Sequence, residues 1–130
     1  MTTELTLLAW TLVLALVQIF AFDFARTGQY GINWNTGARD ATMPDLSPVA
    51  ERLRRAQNNL FETLPLFIAA VLILHVAGIS TAMTVLGCQL YFWARVAYLP
   101  LYAFGVPYLR SLVWMVGFAG LVLLLIALLT

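Results

Sequence analysis

Three polar side chains lie at helical spacing just before an apolar run. Arg55, Asn59 and Glu62 are separated by four and three residues, which places them on one face of a helix. The helix then continues through the apolar run Pro65–Leu74. Because an ionisable side chain at the centre of a membrane helix costs roughly 2.5–3.5 kcal/mol on insertion scales, it normally faces a bundle interior or a wet cavity. The pattern therefore predicts a polar binding site inside a membrane protein.

A second polar stripe lies on the third apolar segment of the chain. Its members are separated by four, three and four residues, and they are Tyr91, Arg95, Tyr98 and Tyr102. The last two of them come shortly before the end of their segment, at the depth that Asn59 and Glu62 occupy on theirs. Arg110, at the start of the fourth segment, lies at the same level. We expect three helices to form one polar layer, suited to a small anionic ligand that also carries an amine.

The composition indicates that these helices cross a membrane. Of the 130 residues, 62% are hydrophobic and 10% are charged, and the mean hydropathy is +0.89, whereas soluble domains are about 45–50% apolar. Four apolar segments each approach the roughly 20 residues that a membrane crossing needs, namely Leu5–Phe24, about Leu60–Ala77, about Thr81–Phe104 and Leu109–Leu129.

We predict one all-α domain over residues 1–130, an integral membrane four-helix up-down bundle. Its helices are expected at about 5–25, 48–77, 81–104 and 109–129, with a long cytoplasmic loop at about 26–47. Turn-forming glycine, asparagine and proline residues mark that loop. Ser47 followed by Pro48 is typical of a helix start.

The arginines predict the orientation of the bundle. They are concentrated in the first and third connections, whereas the second connection, Gly78–Thr81, has none. Since arginine-rich loops face the cytoplasm, both termini are expected on the non-cytoplasmic side of a multi-pass membrane protein. A net charge of +1 gives no indication of a nucleic-acid partner, and the single Cys88 excludes an intramolecular disulfide. No metal site is predicted.

Other interpretations of the polar residues remain open. Arg55, Asn59 and Glu62 could simply be a structural ion pair that locks the second helix against the third through Arg95. His75, near the far end of the second helix, is interpreted as an interfacial histidine, because no other metal-type side chain joins it. A small transporter or channel is disfavoured, since the chain shows no internal repeat.

The segment Glu51–Phe67 resembles the second-helix signature of the MAPEG family, the membrane-associated proteins in eicosanoid and glutathione metabolism. The pattern E-R-x-x-R-A-Q-x-N-x-x-E-x-x-P-L-F is matched throughout, and the length, the four-helix layout and the long first loop are similar too. The resemblance implies a homotrimer that binds glutathione, as a thiol co-substrate, between adjacent subunits in the cytoplasmic leaflet. It also implies a glutathione-dependent transferase or peroxidase that acts on hydrophobic small-molecule electrophiles from the lipid bilayer.

The resemblance assigns binding roles residue by residue. On the second helix three positions match the family's glutathione contacts, and Glu62 is the one placed to hold the amine of the tripeptide. On the third helix two tyrosines match contacts of some members, with an arginine one turn earlier. An arginine at the end of the first helix matches one that grips a carboxylate. The predicted binding residues are Arg26, Arg55, Asn59, Glu62, Arg95, Tyr98 and Tyr102.

Arg110 and Ser111 are the predicted catalytic residues. They resemble the family's Arg-Ser pair at the start of the fourth helix, where the arginine is thought to stabilise the thiolate. A free thiol with a pKa near 8.5 is mostly protonated at neutral pH, and a fixed positive charge shifts it toward the nucleophilic thiolate.

Some residues depart from the better known members of the family. Thr63 replaces a tyrosine of leukotriene-synthase-like members, and Asn58 replaces an arginine of prostaglandin-synthase-like members. The chain therefore looks like a bacterial-type relative, which implies a bacterial inner membrane, and eicosanoid specificity is not transferred to it. The family also contains a non-enzymatic member, so the alternative function is a non-catalytic lipid-binding or scaffold membrane protein of the same fold.

Overall fold

The computed structural model describes all 130 residues, which form five α-helices and no strand. In chain order the helices are α1 (Thr3–Tyr30), α2 (Ile32–Thr36), α3 (Pro48–Val76), α4 (Ala82–Ala103) and α5 (Leu109–Leu129). Hydroxyl side chains cap the starts of α1, α3 and α4. Thr2 accepts a hydrogen bond from the amide of Leu5, Ser47 accepts one from the amide of Ala50, and Thr81 exchanges side-chain bonds with Thr84.

The first connection differs from the predicted irregular loop. The helix α1 continues to Tyr30, about one turn beyond the predicted end at residue 25, and it includes Gly28. Gly31, with a φ of 95°, ends it and donates its amide hydrogen to the carbonyl of Thr27. The short helix α2 follows at once, and its Trp34 ring packs edge-on against Tyr30.

Three of the helices, α1, α3 and α5, are long and apolar enough to cross a membrane by length and composition. The remaining long helix, α4, carries the stripe that contains Arg95 and three tyrosines, which lowers its hydropathy. Large apolar side chains are exposed along the outer faces of α1 and α5, including Trp10, Phe20, Leu112 and Phe118. This inside-out distribution is typical of helices that face lipid.

The helix α4 packs against α1, α3 and α5, while α1 and α5 do not contact each other. The closest approach is between α4 and α5. A Cβ atom added at Gly120 would lie 2.6 Å from the carbonyl oxygen of Gly87, so only glycine allows the two backbones to come this close. On its other side α4 packs on α3, where Phe67 stacks on Tyr91 and the Thr63 and Tyr91 hydroxyls share a hydrogen bond of 2.8 Å.

Candidate functional site

A cavity of about 650 Å³ lies between α3, α4 and α5, near the ends that the first and third connections join. Its volume is within the range of about 300–1,000 Å³ that is usual for small-molecule sites. It is lined by Arg55, Asn58, Asn59, Glu62, Tyr98, Tyr102, Arg110, Ser111, Trp114 and Met115. All the predicted site residues except Arg26 and Arg95 therefore line a single cavity.

Two guanidinium groups from different helices share one phenol ring in the cavity wall. Arg110 lies over the Tyr102 ring at 4.5 Å from its centroid, and Arg55 lies over the same ring at 5.8 Å. Tyr98 is almost fully buried beside Tyr102, with the two ring centroids 5.4 Å apart. Because cation–π contacts hold both guanidinium groups against one ring, α3 and α5 present their positive charges to the same space.

Arg95 lies behind this wall rather than in it. Its side chain is 2% exposed, its Nη1 donates a hydrogen bond of 2.7 Å to Asn59 Oδ1, and its guanidinium lies 4.4 Å from the Tyr98 ring centroid. Its Nε and Nη2 have no hydrogen-bond partner. Arg95 thus orients two residues that face the cavity, whereas the sequence predicted that it would bind the ligand itself.

Arg26 is not brought to the cavity within this chain. It makes a 3.1 Å ion pair with Asp23 and lies over the rings of Phe22 and Trp34. These contacts belong to the end of α1 and the start of the first connection, and none of the cavity residues takes part in them.

Of the structural lock that the sequence left open, the hydrogen bond from Arg95 to Asn59 is formed, but Arg55 and Glu62 make no ion pair. The only two ion pairs in the chain join Arg26 to Asp23 and Arg54 to Glu51. Arg95 uses the amide of Asn59 as its acceptor, and Glu62 takes part in neither pair. The carboxylate of Glu62 is therefore free to accept hydrogen bonds from a ligand.

Glu62 is exposed in the single chain, although its depth in the sequence predicted an interior position. The cavity that it lines with Arg55 and Arg110 is open at the surface of the bundle. A charged side chain at membrane depth is costly when it faces lipid, and a ligand or a second chain over this opening would lower that cost.

Sequence reasoning missed three cavity residues, namely Asn58, Trp114 and Met115. Helical spacing was the available signal for all of them. Asn58 lies four residues before Glu62, and the two α5 residues lie four residues after Arg110 and Ser111, respectively. On the same face of α5, Arg110 and Ser111 are therefore followed by an apolar wall.

The cavity combines two guanidinium groups with one carboxylate, two phenols, two amides and a hydroxyl. Its formal charge favours an anionic ligand, while the carboxylate requires a donor such as an amine. No group of three or more His, Cys, Asp or Glu side chains could hold a metal ion. The arrangement can bind and polarise a small zwitterionic ligand beside an apolar surface.

Comparison with known proteins identifies the family of the chain. The model of the MAPEG family matches residues 5–130, which is nearly the whole chain. No curated protein matches the chain, and no solved structure does so. With its three apolar helices, the chain is an integral membrane protein that belongs to the MAPEG family.

Proposed function

We propose that the protein is a membrane-embedded glutathione-dependent transferase or peroxidase that acts on hydrophobic electrophiles. The observation that carries the proposal is the single cavity in which the free carboxylate of Glu62 lies with the guanidinium groups of Arg55 and Arg110. Family membership supports a role in glutathione or eicosanoid metabolism, and the cavity supports the choice of glutathione.

The charged groups of the cavity complement those of glutathione. The tripeptide carries one ammonium group, two carboxylates and a thiol. Glu62 is the one carboxylate in the wall and would hold the ammonium group, while Arg55 is suited to a carboxylate because guanidinium binds carboxylates in two parallel hydrogen bonds. The Tyr98 and Tyr102 hydroxyls and the Asn59 amide would add neutral hydrogen bonds.

Arg110 is the residue that we assign to thiol activation, with Ser111 as a neighbouring hydrogen-bond donor. A fixed positive charge favours the thiolate over the thiol, so the bound thiol would release its proton to water at a lower pH than free glutathione does. In the transferase reaction, the thiolate sulfur forms a bond to an electrophilic carbon, and the electron pair of the broken bond leaves with the leaving group. The protein supplies position and electrostatics.

The peroxidase reaction would use the same thiolate. The sulfur attacks the outer oxygen of an organic hydroperoxide, the O–O bond breaks, and the alkoxide takes up a proton to become an alcohol. The resulting sulfenic acid then reacts with a second glutathione thiol to give the disulfide and water. In both reactions, Trp114 and Met115 give the electrophile an apolar surface next to Arg110 and Ser111.

The proposal includes an assembly and an orientation. All four long helices would span the bilayer as an up-down bundle, with both termini on the non-cytoplasmic side of a bacterial inner membrane. The exposed Glu62 and Arg55 favour an oligomer, because a neighbouring subunit would cover the open side of the cavity and remove these charges from lipid. The resemblance to the family makes a homotrimer the proposed form. Arg26 of an adjacent subunit would then be available to the ligand.

The test is glutathione binding to the purified protein in detergent, measured by calorimetry, together with the ultraviolet difference band of the bound thiolate. The band is expected with the native protein and with Arg54→Ala, which removes an arginine that lies outside the cavity. It is expected to disappear with Arg110→Ala. If the native protein neither binds glutathione nor forms the thiolate, the enzyme proposal is overturned.

The exposed position of Glu62 and Arg55 also fits a second candidate, a non-catalytic lipid-binding or scaffold protein in which these residues only hold subunits together. This candidate expects Glu62→Gln or Arg55→Ala to dissociate the oligomer in detergent, with no protection by glutathione. The enzyme proposal expects glutathione to stabilise the native oligomer against heat.

A further inference from the structure

A second cavity, of about 240 Å³, lies at the opposite end of the bundle from the glutathione cavity. The start of α1, the last turn of α3 and the connection from α3 to α4 enclose it. It is lined by Thr2, Glu4, Val71, Leu74, His75, Gly78, Ile79 and Ser80. None of these residues lines the first cavity, so the two spaces are separate.

Glu4 is the notable residue of this cavity. Its side chain is only 4% exposed. Its Oε2 accepts a hydrogen bond of 3.1 Å from the hydroxyl of Thr84, while its Oε1 is buried without any hydrogen-bond partner. A cavity of this volume therefore adjoins a carboxylate that still has an unused acceptor.

The chain forms no ion pair with this carboxylate. Both ion pairs lie elsewhere, the amino terminus makes none, no arginine lines the cavity, and the sequence contains no lysine. The positive end of the α1 dipole favours an acidic residue in the first turn. However, the dipole does not give Oε1 a hydrogen bond, and a buried charge without a partner is destabilising.

We propose that this cavity binds a compact primary ammonium group on Glu4. An ammonium nitrogen has three N–H donors and no acceptor, which matches a free carboxylate oxygen together with the hydroxyls of Thr2 and Ser80 and the imidazole of His75. A divalent metal is a poorer match, because Glu4 and His75 are the only metal-type side chains in the wall. A quaternary ammonium group has no N–H to donate.

The ammonium group has two possible sources. The cavity lies at one end of the bundle, where the helices meet the membrane surface, so an ethanolamine lipid headgroup and a free small amine would present the same chemistry. Ethanolamine is a suitable probe, since it has few enough atoms for a cavity of this volume.

The experiment measures the thermal unfolding of the full chain in detergent with ethanolamine, and with tetramethylammonium at the same ionic strength. Ethanolamine is expected to stabilise the native protein, and tetramethylammonium is not. Glu4→Gln is expected to weaken ethanolamine binding by at least about tenfold, as is usual when a charged hydrogen-bond partner is lost. Glu51→Gln, the same change at the other end of the bundle, is expected to leave the affinity unchanged.

A second variant keeps the proposal testable if Glu4→Gln does not fold. Ser80→Trp places a bulky ring at an exposed rim position and fills the cavity without changing the carboxylate, so ethanolamine binding is expected to be lost. Nanodiscs then distinguish the sources. Stabilisation by phosphatidylethanolamine over phosphatidylcholine identifies a lipid headgroup, and stabilisation by free ethanolamine alone identifies a soluble amine.

The proposal is overturned if tetramethylammonium stabilises the protein as much as ethanolamine does, or if Glu4→Gln folds and retains full affinity. It is also overturned if neither ethanolamine nor phosphatidylethanolamine has an effect on the native protein. None of these outcomes depends on glutathione.

Discussion

Arg95 Nη1 donates a 2.7 Å hydrogen bond to Asn59 Oδ1, and this contact joins the buried stripe of α4 to the cavity face of α3. The guanidinium is 2% exposed and has no carboxylate partner, so the amide oxygen of Asn59 is its only hydrogen-bond acceptor. The position of one cavity-lining residue therefore depends on a charge that lies behind the cavity wall.

Asn59→Leu is expected to lower the free energy of unfolding by about 1–3 kcal/mol, because the Arg95 guanidinium loses its acceptor inside the protein. The double variant Asn59→Leu/Arg95→Met is expected to recover part of that loss, since both partners are then apolar. Denaturation of the native protein, the two single variants Asn59→Leu and Arg95→Met, and the double variant in detergent measures the coupling energy between the two residues. The neighbouring Asn58→Leu serves as a control and is expected to cost less than about 0.5 kcal/mol. Strictly additive effects would contradict the argument.

Glu62→Gln is expected to weaken glutathione binding without changing the stability of the protein. The carboxylate is exposed and makes no ion pair within the chain, so the unfolding free energy is expected to change by less than about 0.5 kcal/mol. Glutathione affinity is expected to fall about tenfold to a hundredfold, because a hydrogen bond between charged groups is lost. Calorimetry and thermal unfolding check the two parts, with Glu51→Gln as the matched control. An unchanged affinity would remove Glu62 from the binding site.

The pH at which the bound thiolate forms is expected to depend on Arg110. A positive charge favours the deprotonated thiol and lowers the pKa of bound glutathione below the value near 8.5 of a free thiol. The thiolate band is therefore expected to persist to lower pH in the native protein, and its midpoint is expected to rise toward the free value in Arg110→Ala. A pH titration of the ultraviolet band measures the shift. The Arg54→Ala control is expected to titrate like the native protein, and a native midpoint equal to that of free glutathione would count against this role.

Gly120→Ala is expected to destabilise the packing of α5 on α4. The added Cβ would approach the carbonyl oxygen of Gly87 to 2.6 Å, so the helices must separate, at a cost of about 1–3 kcal/mol. Gly28→Ala provides the control, because this helical glycine has no atom within 4 Å of an added Cβ. It is expected to be neutral or slightly stabilising. Equal melting temperatures for the two variants would show that the close approach is unimportant.

The sequence was informative wherever helical spacing governs position. The stripes on α3 and α4 and the start of α5 predicted one polar layer, and most of these residues line one cavity, with Tyr91 and Arg95 as the exceptions. Spacing cannot tell which member of a stripe reaches the cavity and which lies behind it. Arg95 shares a face with Tyr98 but is turned toward Asn59, because the long guanidinium side chain spans the gap between two packed helices.

The end of α1 shows a different limit of prediction from the sequence. Gly28 and Gly31 were both compatible with a turn, since glycine adopts positive and negative φ values about equally well. The structure uses Gly31, and Tyr30 before this glycine packs against Trp34 of α2 after it.

Glu4 shows a third limit. A lone acidic residue at the start of an apolar segment suggests exposure, and its burial depends on Thr84, which lies 80 residues further along the chain.

The two cavities share α3, with Glu62 and His75 about 20 Å apart along its axis. Between them Leu64, Phe67 and Ala70 are buried in an apolar cluster that reaches across to α1 and α5. That apolar cluster is a barrier to the passage of ions. Polar molecules can occupy either end without forming a continuous hydrated path, so the protein can hold ionic ligands at both faces while the membrane stays impermeable and keeps its potential.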